Sequence, residues 1–275
     1  MREDPLFTNV SLPSNSRQEA WEKLGFKFGD KGTHTSRTIM SSELEMLFNS
    51  CPLGSTRLDI AKIVVEDNCL GKQTGSMRKS TFQRLSELYG LNPKIPLFRL
   101  FRYFWDADQK SHPLLALFTS LARDPILRAT SPVILGMKPG EELARQQMTD
   151  CLKDSLGDRL NDNILDKVAR NVSSSWTQAG HLNGRVRKKR TAVQPTPAST
   201  AYALLLGHLL GLRGQSLFQS LFARLLDRNS DELIFLAMDA KRLGLMDIKH
   251  LGGITNISFD GILTEEEKRL AYGTD

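Results

Sequence analysis

Five of the six residues from Arg185 to Arg190 are basic, and this run is the strongest indication of binding chemistry in the sequence. The basic positions are Arg185, Arg187, Lys188, Lys189 and Arg190, with no acidic residue nearby. Each phosphate that a cation neutralises releases condensed counterions, so the run predicts salt-sensitive binding to a nucleic-acid backbone without sequence specificity. The alternative is a solvated loop that keeps the protein in solution.

A second group of basic residues surrounds the start of a predicted helix. Lys72, Arg78, Lys79 and Arg84 occur in a span that has no carboxylate until Glu87. Cations at a helix N-terminus strengthen contact with phosphate, and the second helix of a helix-turn-helix module brings its N-terminal residues to the DNA. The span therefore predicts a second DNA contact, and an amphipathic helix with a basic outer face is the alternative.

Aromatic residues are interleaved with arginines between positions 98 and 105. The aromatic group consists of Phe98, Phe101, Tyr103, Phe104 and Trp105, with Arg99 and Arg102 between them. Stacking on exposed bases is one interpretation. Because aromatic residues at helical spacing more often pack a helical bundle, we predict that they belong to the core.

The sequence contains few residue patterns that indicate catalysis. Asp239 and Lys241 could serve a metal-dependent nuclease, but no preceding acidic partner is evident, so a nuclease is kept as a remote alternative. We expect a non-enzymatic protein without cofactor or metal. No HxH, HExxH, P-loop or dinucleotide-binding pattern occurs, and the histidines are scattered: His34, His112, His181, His208 and His250.

Composition limits the class of protein. Hydrophobic residues make up 40% and charged residues 25% of the 275 positions, as in folded globular chains. The net charge of +6 favours a polyanionic partner only where basic residues cluster. Cys51, Cys69 and Cys151 form no CxxC pair, which favours a reducing compartment. The start lacks a secretory signal and the apolar stretch 201–212 is too short to cross a membrane, so we expect a cytoplasmic, non-membrane protein.

Helical patterns dominate the elements that must position these residues. Ser41 and Pro96 begin predicted helices, and Gly90 ends the helix that starts near Ser76. The glycine-containing turn before Ser76 joins this helix to an earlier one, which gives a helix-turn-helix candidate. We expect a flexible N-terminal arm or loosely docked lead-in at 1–40, a helical domain at 41–180, a basic linker or hairpin at 181–197 and a C-terminal helical domain at 198–275.

The C-terminal region predicts a winged-helix-like order. Helical segments at 198–212, 215–227 and 230–243 precede two short strands about Gly252-Gly253. Many protein–protein modules share this order, so it does not establish DNA contact by itself. The expected fold is mainly α and two-lobed, with helix-turn-helix or winged-helix-like elements and a small C-terminal β-hairpin.

Short stretches in the latter two-thirds of the chain keep an order of helix, helix and terminal strand. They are Asn161–Trp176, Gln178–Leu182, Pro197 leading into Tyr202–Leu206, Arg224–Asp227, Arg242–Leu245 and Ile257–Phe259. In this pattern the chain resembles the BrxA-type small helical proteins of bacteriophage exclusion (BREX) systems, whereas the long polar N-terminus and the basic run depart from that family. The resemblance implies a mainly helical, non-enzymatic, DNA-binding accessory protein that acts with larger antiviral defence components.

The leading hypothesis is therefore an accessory protein that binds double-stranded DNA. Its basic run would hold phosphates while a helix-turn-helix or winged-helix lobe orients it. A protein–protein adaptor, which assembles a multi-subunit complex through an exposed apolar helix face, is the main alternative.

Overall fold

The computed structural model describes residues 4–7, 15–157 and 161–272, and this part of the chain is mainly helical. Within it, fourteen α-helices are joined by short 3₁₀ segments and two β-hairpins, which confirms the predicted mainly helical class with a small C-terminal hairpin. The helices are α1 Asn15–Leu24, α2 Ser41–Ser50, α3 Arg57–Val65, α4 Gly75–Tyr89, α5 Pro96–Ala107, α6 His112–Arg123, α7 Pro125–Ala129, α8 Ser131–Gly136, α9 Arg145–Leu156, α10 Asp162–Gln178, α11 Pro197–Leu209, α12 Leu221–Arg224, α13 Ser230–Arg242 and α14 Glu265–Tyr272. The strands are β1 Leu182–Asn183, β2 Lys189–Arg190, β3 Asp247–Leu251 and β4 Ile254–Ser258, and the 3₁₀ segments are Pro5–Phe7, Thr33–Thr35, Gln109–Ser111 and Gly214–Gln219.

Local capping chemistry sets the boundaries of the helix-turn-helix candidate. Thr74 accepts a hydrogen bond from the backbone N–H of Met77 at 3.2 Å, which begins α4. Gly90 ends α4 in the left-handed conformation, with φ of 75°. Thr56 and Asp59 form a capping box at the start of α3. The two helices begin and end close to the predicted positions, and they pack against each other.

The core is centred on α5, α6 and α11. Phe101 and Phe104 of α5 lie 6.3 Å and 5.3 Å from Tyr202 of α11, measured between ring centroids. Both phenylalanines are fully buried, which confirms the predicted core position for the aromatic group except Tyr103, which is 39% exposed. Helix α11 is buried on all sides, as expected of a helix that is apolar around its whole circumference. None of the described helices has both the length and the apolar character that crossing a bilayer requires.

The helical regions before and after residues 181–197 share one hydrophobic core, which extends from Leu6 to Ala271. The segment between them forms the β1–β2 hairpin instead of a free linker. His181 and Val193, at its two ends, are at most 5% exposed. The segment is therefore docked on the body of the protein.

Residues 15–40 pack on the core, in contrast to the mobile arm expected there. Trp21, Leu24 and Phe26 are at most 2% exposed, and Trp21 stacks on Phe7 and packs against Phe28. The guanidinium of Arg17 in α1 also donates to the carbonyl of Ala271 in α14 at 2.7 Å. Residues 1–3 and 8–14, which the predicted arm included, lie outside the described residues.

The C-terminal region ends in the predicted β-hairpin. Strands β3 and β4 are antiparallel, with register from Asp247↔Ser258 to Leu251↔Ile254 about the Gly252-Gly253 turn. Both glycines have positive φ, as the tight turn of a two-residue hairpin requires. The expected helix at 215–227 is instead a 3₁₀ segment followed by the single turn of α12.

Candidate nucleic-acid interface

A groove of about 840 Å³ lies between α9, α10 and the β1–β2 hairpin. Its floor is partly apolar, and hydroxyl groups of α10 face it. We call it the basic groove because four cationic side chains line it: Arg145, Arg170, Arg185 and Lys188. The predicted basic run thus contributes to a concave surface together with two arginines from the neighbouring helices.

Backbone hydrogen bonds fix the hairpin beside the groove. Residues 140–143 run along β2, where the Arg190 N–H donates to the Glu141 carbonyl and the Leu143 N–H donates to the Lys188 carbonyl, each at 2.8 Å. Gly184 turns the chain with φ of +110°, and a Cβ there would lie 2.1 Å from the carbonyl oxygen of Arg187. The hairpin turn therefore requires glycine at this position, since other residues would strain the backbone and collide with it.

Arg190 does not share the exposure of the basic run. It is 5% exposed and pairs with Asp227 through two hydrogen bonds of 2.9 Å and 2.5 Å. Its Nε also donates to the carbonyl of Ile134 at 3.1 Å. A buried arginine with these partners anchors the hairpin and cannot reach a phosphate, so the prediction that Arg190 contacts DNA is corrected.

The other residues of the basic run remain accessible. Arg185, Arg187 and Lys189 are exposed, and Val186 at the hairpin tip is 90% exposed. The ammonium group of Lys188 donates to Thr177 Oγ1 at 2.8 Å. Burial lowers the pKa of Lys188, but its partner is a neutral hydroxyl. The run therefore keeps positive charge at its exposed residues.

Few acidic groups oppose the cations of the groove. Arg145 and Arg170 share a single carboxylate, that of Asp166, which lies 3.6 Å from Arg170. Glu142 approaches Arg187 only to 3.9 Å. The side chains of Arg145 and Arg170 are 71% and 70% exposed, so water screens these pairs strongly. The groove as a whole carries excess positive charge.

The basic residues of the helix-turn-helix candidate are mostly held by the protein itself. Lys72 pairs with Glu43 at 3.0 Å, and Arg84 pairs with Glu87 at 2.8 Å. The Arg78 side chain donates to the backbone carbonyls of Lys72 and Val65 at 3.2 Å and 3.3 Å. Their partners come from α2, from the end of α3 and from a later turn of α4.

Lys79 differs from the other members of this cluster. It is exposed, and it has no ion-pair partner among the described residues. One free cation supplies far less attraction for phosphate than a cluster does. The sequence therefore predicts the two helices well, but fewer of their basic side chains are free to contact DNA than it indicates.

Helix α13 occupies the position of the reading helix in the winged-helix order. Asp231 and Glu232 are exposed in its first turn, and Asp239 follows on the same helix with its side chain half exposed. Carboxylates at the N-terminus of a helix would repel the phosphates that flank a DNA groove. The charge of α13 therefore does not favour the predicted contact with DNA.

A buried polar network connects residues that no sequence pattern brings together. The imidazole of His34 lies 2.8 Å from Asp124 Oδ2 through Nδ1 and 2.8 Å from Ser175 Oγ through Nε2. This is the order of groups in a Ser-His-Asp triad. The three residues are at most 1% exposed, so a substrate could not reach the hydroxyl.

The partners of this network explain its place in the fold. Asp124 also accepts the backbone N–H groups of Ile126 and Leu127, which begins α7. Ser175 Oγ accepts the N–H of Ile39 at 3.0 Å. Burial alone would raise the pKa of Asp124, but the charge of His34 and the hydrogen bonds outweigh it and lower that pKa. The network ties the N-terminal region to α7 and α10.

The residues of the nuclease alternative lie in ordinary ion pairs. Asp239 pairs with Arg242 and Lys241 pairs with Asp247, each at 2.7 Å. In the part of the chain that the structure describes, no three His, Cys, Asp or Glu side chains are arranged to hold a metal ion. Asp239 and Lys241 therefore have the contacts of an exposed helix end.

A scan of the chain against protein-family models finds no match, and a search of curated proteins finds no similar sequence. The resemblance to the BrxA-type proteins thus stays a prediction from sequence patterns. A function for this chain has to be inferred from its own geometry and charge.

Proposed function

We propose that this protein binds double-stranded DNA along the basic groove, without sequence specificity and without chemistry of its own. The observation that carries the proposal is the convergence of Arg145, Arg170, Arg185 and Lys188 on one concave surface. Arg187 and Lys189 extend the positive charge onto the outside of the hairpin. A surface of this kind follows a phosphate backbone.

The chemistry of the groove suits phosphate oxygens. Arginine presents several N–H donors in a planar fork that matches the geometry of a phosphate. Thr177 already positions the ammonium group of Lys188 at the edge of the groove. A phosphate would compete with Asp166 for Arg145 and Arg170. It would also give an ion-pair partner to Arg185, which has none among the described residues.

The hairpin tip supplies a second kind of contact. Arg185, Val186 and Arg187 are all exposed, and valine separates the two guanidinium groups. Proteins that bind the DNA minor groove combine arginine with an apolar wedge in this way. We assign the tip to the minor groove and the cations of α9 and α10 to the adjacent phosphates. In this arrangement the protein recognises the shape and charge of the DNA and not its base sequence.

Charge-matched variants test this assignment. In the first, Arg185→Ala, Arg187→Ala and Lys189→Ala remove exposed cations of the hairpin. In the control, Lys110→Ala, Arg224→Ala and Lys249→Ala remove the same charge from exposed positions elsewhere. Fluorescence anisotropy with a duplex of about 30 base pairs, repeated over a range of salt concentrations, measures both affinity and salt slope.

The hairpin variant should bind about tenfold or more weakly near 0.1 M salt, with a salt slope reduced by about 2 to 3, since each lost phosphate contact removes about 0.9. The control variant should stay within about threefold of the unmodified protein because screening limits the effect of distant charges. Equal losses in the two variants would reject the hairpin as the binding surface.

The resemblance to BrxA-type proteins places this DNA binding in a wider context. We propose that the protein is an accessory component of an antiviral phage-exclusion system and assembles on DNA with larger partners. Copurification with the products of neighbouring methyltransferase, ATPase and phosphatase-like genes would support that context. A gene isolated from all of these would count against it, and DNA binding would still stand.

A protein–protein adaptor is the second candidate, and exposed apolar side chains favour it. Leu251 and Ile254 at the tip of the β3–β4 hairpin are 84% and 77% exposed, and Phe235 on α13 is 68% exposed. Partner contacts commonly use such side chains, whereas DNA phosphates do not. If Leu251→Ser and Ile254→Ser abolish copurification of a partner protein but leave DNA affinity unchanged, partner binding and DNA binding use different surfaces.

A further inference from the structure

A second positively charged cavity shares no lining residue with the basic groove. It has a volume of about 510 Å³ and is bounded by residues 22–31, by Ile95 and by the end of α6. Four cations line it, namely Lys23, Lys27, Lys31 and Arg123, and Glu22 is the one carboxylate of its lining. We call it the lysine pocket.

Arg123 contributes a buried guanidinium to this pocket. It is 6% exposed and donates to backbone carbonyls, those of Gly25 at 2.5 Å and Glu87 at 3.2 Å. No described carboxylate forms an ion pair with it. Burial lowers the pKa of Arg123 to about 10, so it remains charged at neutral pH. Because only carbonyl dipoles compensate this buried charge, the Arg123 guanidinium can still pair with an anion.

Lys27 adds a second partly buried cation. Its ammonium group donates to the same Glu87 carbonyl at 3.3 Å. Burial lowers the pKa of Lys27, and the charge of Arg123 lowers it further, while Glu87 and Asp124 act in the opposite direction. The two cations therefore repel each other across a short distance, and a bound anion would relieve that repulsion.

Two glycines shape the wall around Arg123. Gly25 has φ of +111°, and a Cβ there would lie 2.6 Å from a methyl carbon of Ile95. Gly90 has φ of +75°, and a Cβ there would lie 3.1 Å from the Arg123 guanidinium carbon. Side chains at these positions would strain the backbone and crowd the guanidinium. Glycine at positions 25 and 90 therefore lets the backbone enclose the Arg123 side chain closely.

We propose that the lysine pocket binds a phosphorylated small molecule of about nucleotide size, with its phosphate groups on Lys27, Lys31 and Arg123. The volume falls within the range of small-ligand sites. Lysine and arginine are the side chains that hold phosphate most often. Phe28, which is half-buried in the lining, offers an apolar surface to the organic part of the ligand.

Isothermal titration with inorganic pyrophosphate and with ATP tests the proposal on the full chain. Lys27→Gln keeps a donor for the Glu87 carbonyl but removes the charge, and Lys31→Ala removes a cation at the mouth. The expected result is one site per chain, with affinity for both probes at least tenfold lower when the two changes are combined. Circular dichroism melting confirms that the variant is folded.

Two controls separate the pocket from general attraction of anions. The variant with Lys110→Ala and Lys249→Ala loses the same charge from exposed sites, and the hairpin variant lacks Arg185 of the basic groove together with Arg187 and Lys189. Both should bind pyrophosphate and ATP within about threefold of the unmodified protein. If either control loses as much affinity as the pocket variant, or if no binding is detected at millimolar probe, the proposal is overturned. DNA binding is measured separately, so failure here leaves the basic groove untouched.

Discussion

The hydroxyl oxygen of Ser175 lies 2.8 Å from Nε2 of His34, although 141 positions separate them in the sequence. His34 in turn contacts Asp124, which caps α7. Because the three side chains are buried, this contact joins the N-terminal region to two helices without leaving room for a substrate. It is a structural device whose geometry matches that of a catalytic triad.

Replacing Ser175 by alanine should lower the free energy of unfolding by about 1–3 kcal/mol, because the buried N–H of Ile39 and the imidazole of His34 each lose a partner. Ser174→Ala on the same helix is the matched control, since Ser174 is half-buried and its oxygen accepts only a 3.5 Å hydrogen bond from Gln178. Urea denaturation measures both. Equal stability of the two variants would contradict the role assigned to Ser175.

The pH dependence of stability should report on His181. Burial lowers its pKa to about 4, although the hydrogen bond to Leu225 and the charge of Asp227 act in the other direction. Since this pKa lies below the unfolded value near 6.5, the unfolded chain binds more protons between these limits. The contribution to stability is therefore complete above about pH 6.5 and falls as the pH approaches 4.

Between pH 7 and pH 5 this residue should account for a loss of about 2 kcal/mol in the free energy of unfolding. His181→Gln retains a donor for the Leu225 carbonyl but does not titrate, so it should flatten the curve by that amount. His208, whose pKa burial lowers to about 3, should add a pH dependence in the same direction. An unchanged pH profile in the glutamine variant would show that His181 already titrates normally in the fold.

Arg190 and Arg187 should separate stability from DNA binding. Arg190→Ala leaves the largely buried carboxylate of Asp227, 12% exposed, without its charged partner, which should cost about 3 kcal/mol of folding stability. Arg187→Ala, at a side chain 82% exposed, should change stability by about 0.5 kcal/mol or less. Thermal melting and anisotropy together give the two readouts.

The opposite pattern is expected for DNA affinity. Arg187→Ala should weaken binding and reduce the salt slope by about 1, since one phosphate contact is lost. If Arg190→Lys stays folded, it should bind DNA normally, because Arg190 takes no part in the groove. A salt slope that depends on Arg190 and not on Arg187 would reverse the assignment.

Local signals in the sequence predict the helices but not the tertiary partners of the charged residues. Thr74 and Gly90 mark the ends of α4 because capping depends on nearby residues. The ion pair of Arg190 depends on Asp227, which lies 37 positions away and belongs to no motif. Nothing in the spacing of the basic run distinguishes this buried arginine from its exposed neighbours.

The same limit applies to the choice between the two predicted DNA surfaces. Lys72 forms an ion pair with Glu43, which lies 29 positions earlier in the chain. The cluster at α4 therefore offers less positive charge to a phosphate than its composition indicates. The basic groove gains Arg145 and Arg170 from helices that the sequence does not connect to the run. Clustering of charge on a surface is a property of the packed helices, and a linear run reveals only part of it.

Helix α13 provides the last test, because it precedes the C-terminal hairpin, where the sequence predicts a reading helix, while presenting acidic side chains. If α13 entered a DNA groove, Asp231→Asn together with Asp239→Asn would remove repulsion and raise affinity severalfold. If DNA lies along the basic groove, screening at about 0.15 M salt limits the influence of these charges, and affinity should stay within about twofold. The pair is suited to the test because neither residue is Glu232, which completes the capping box that begins α13. Anisotropy at low and physiological salt distinguishes the two outcomes, and a large gain at both would move the DNA from the hairpin to the C-terminal region.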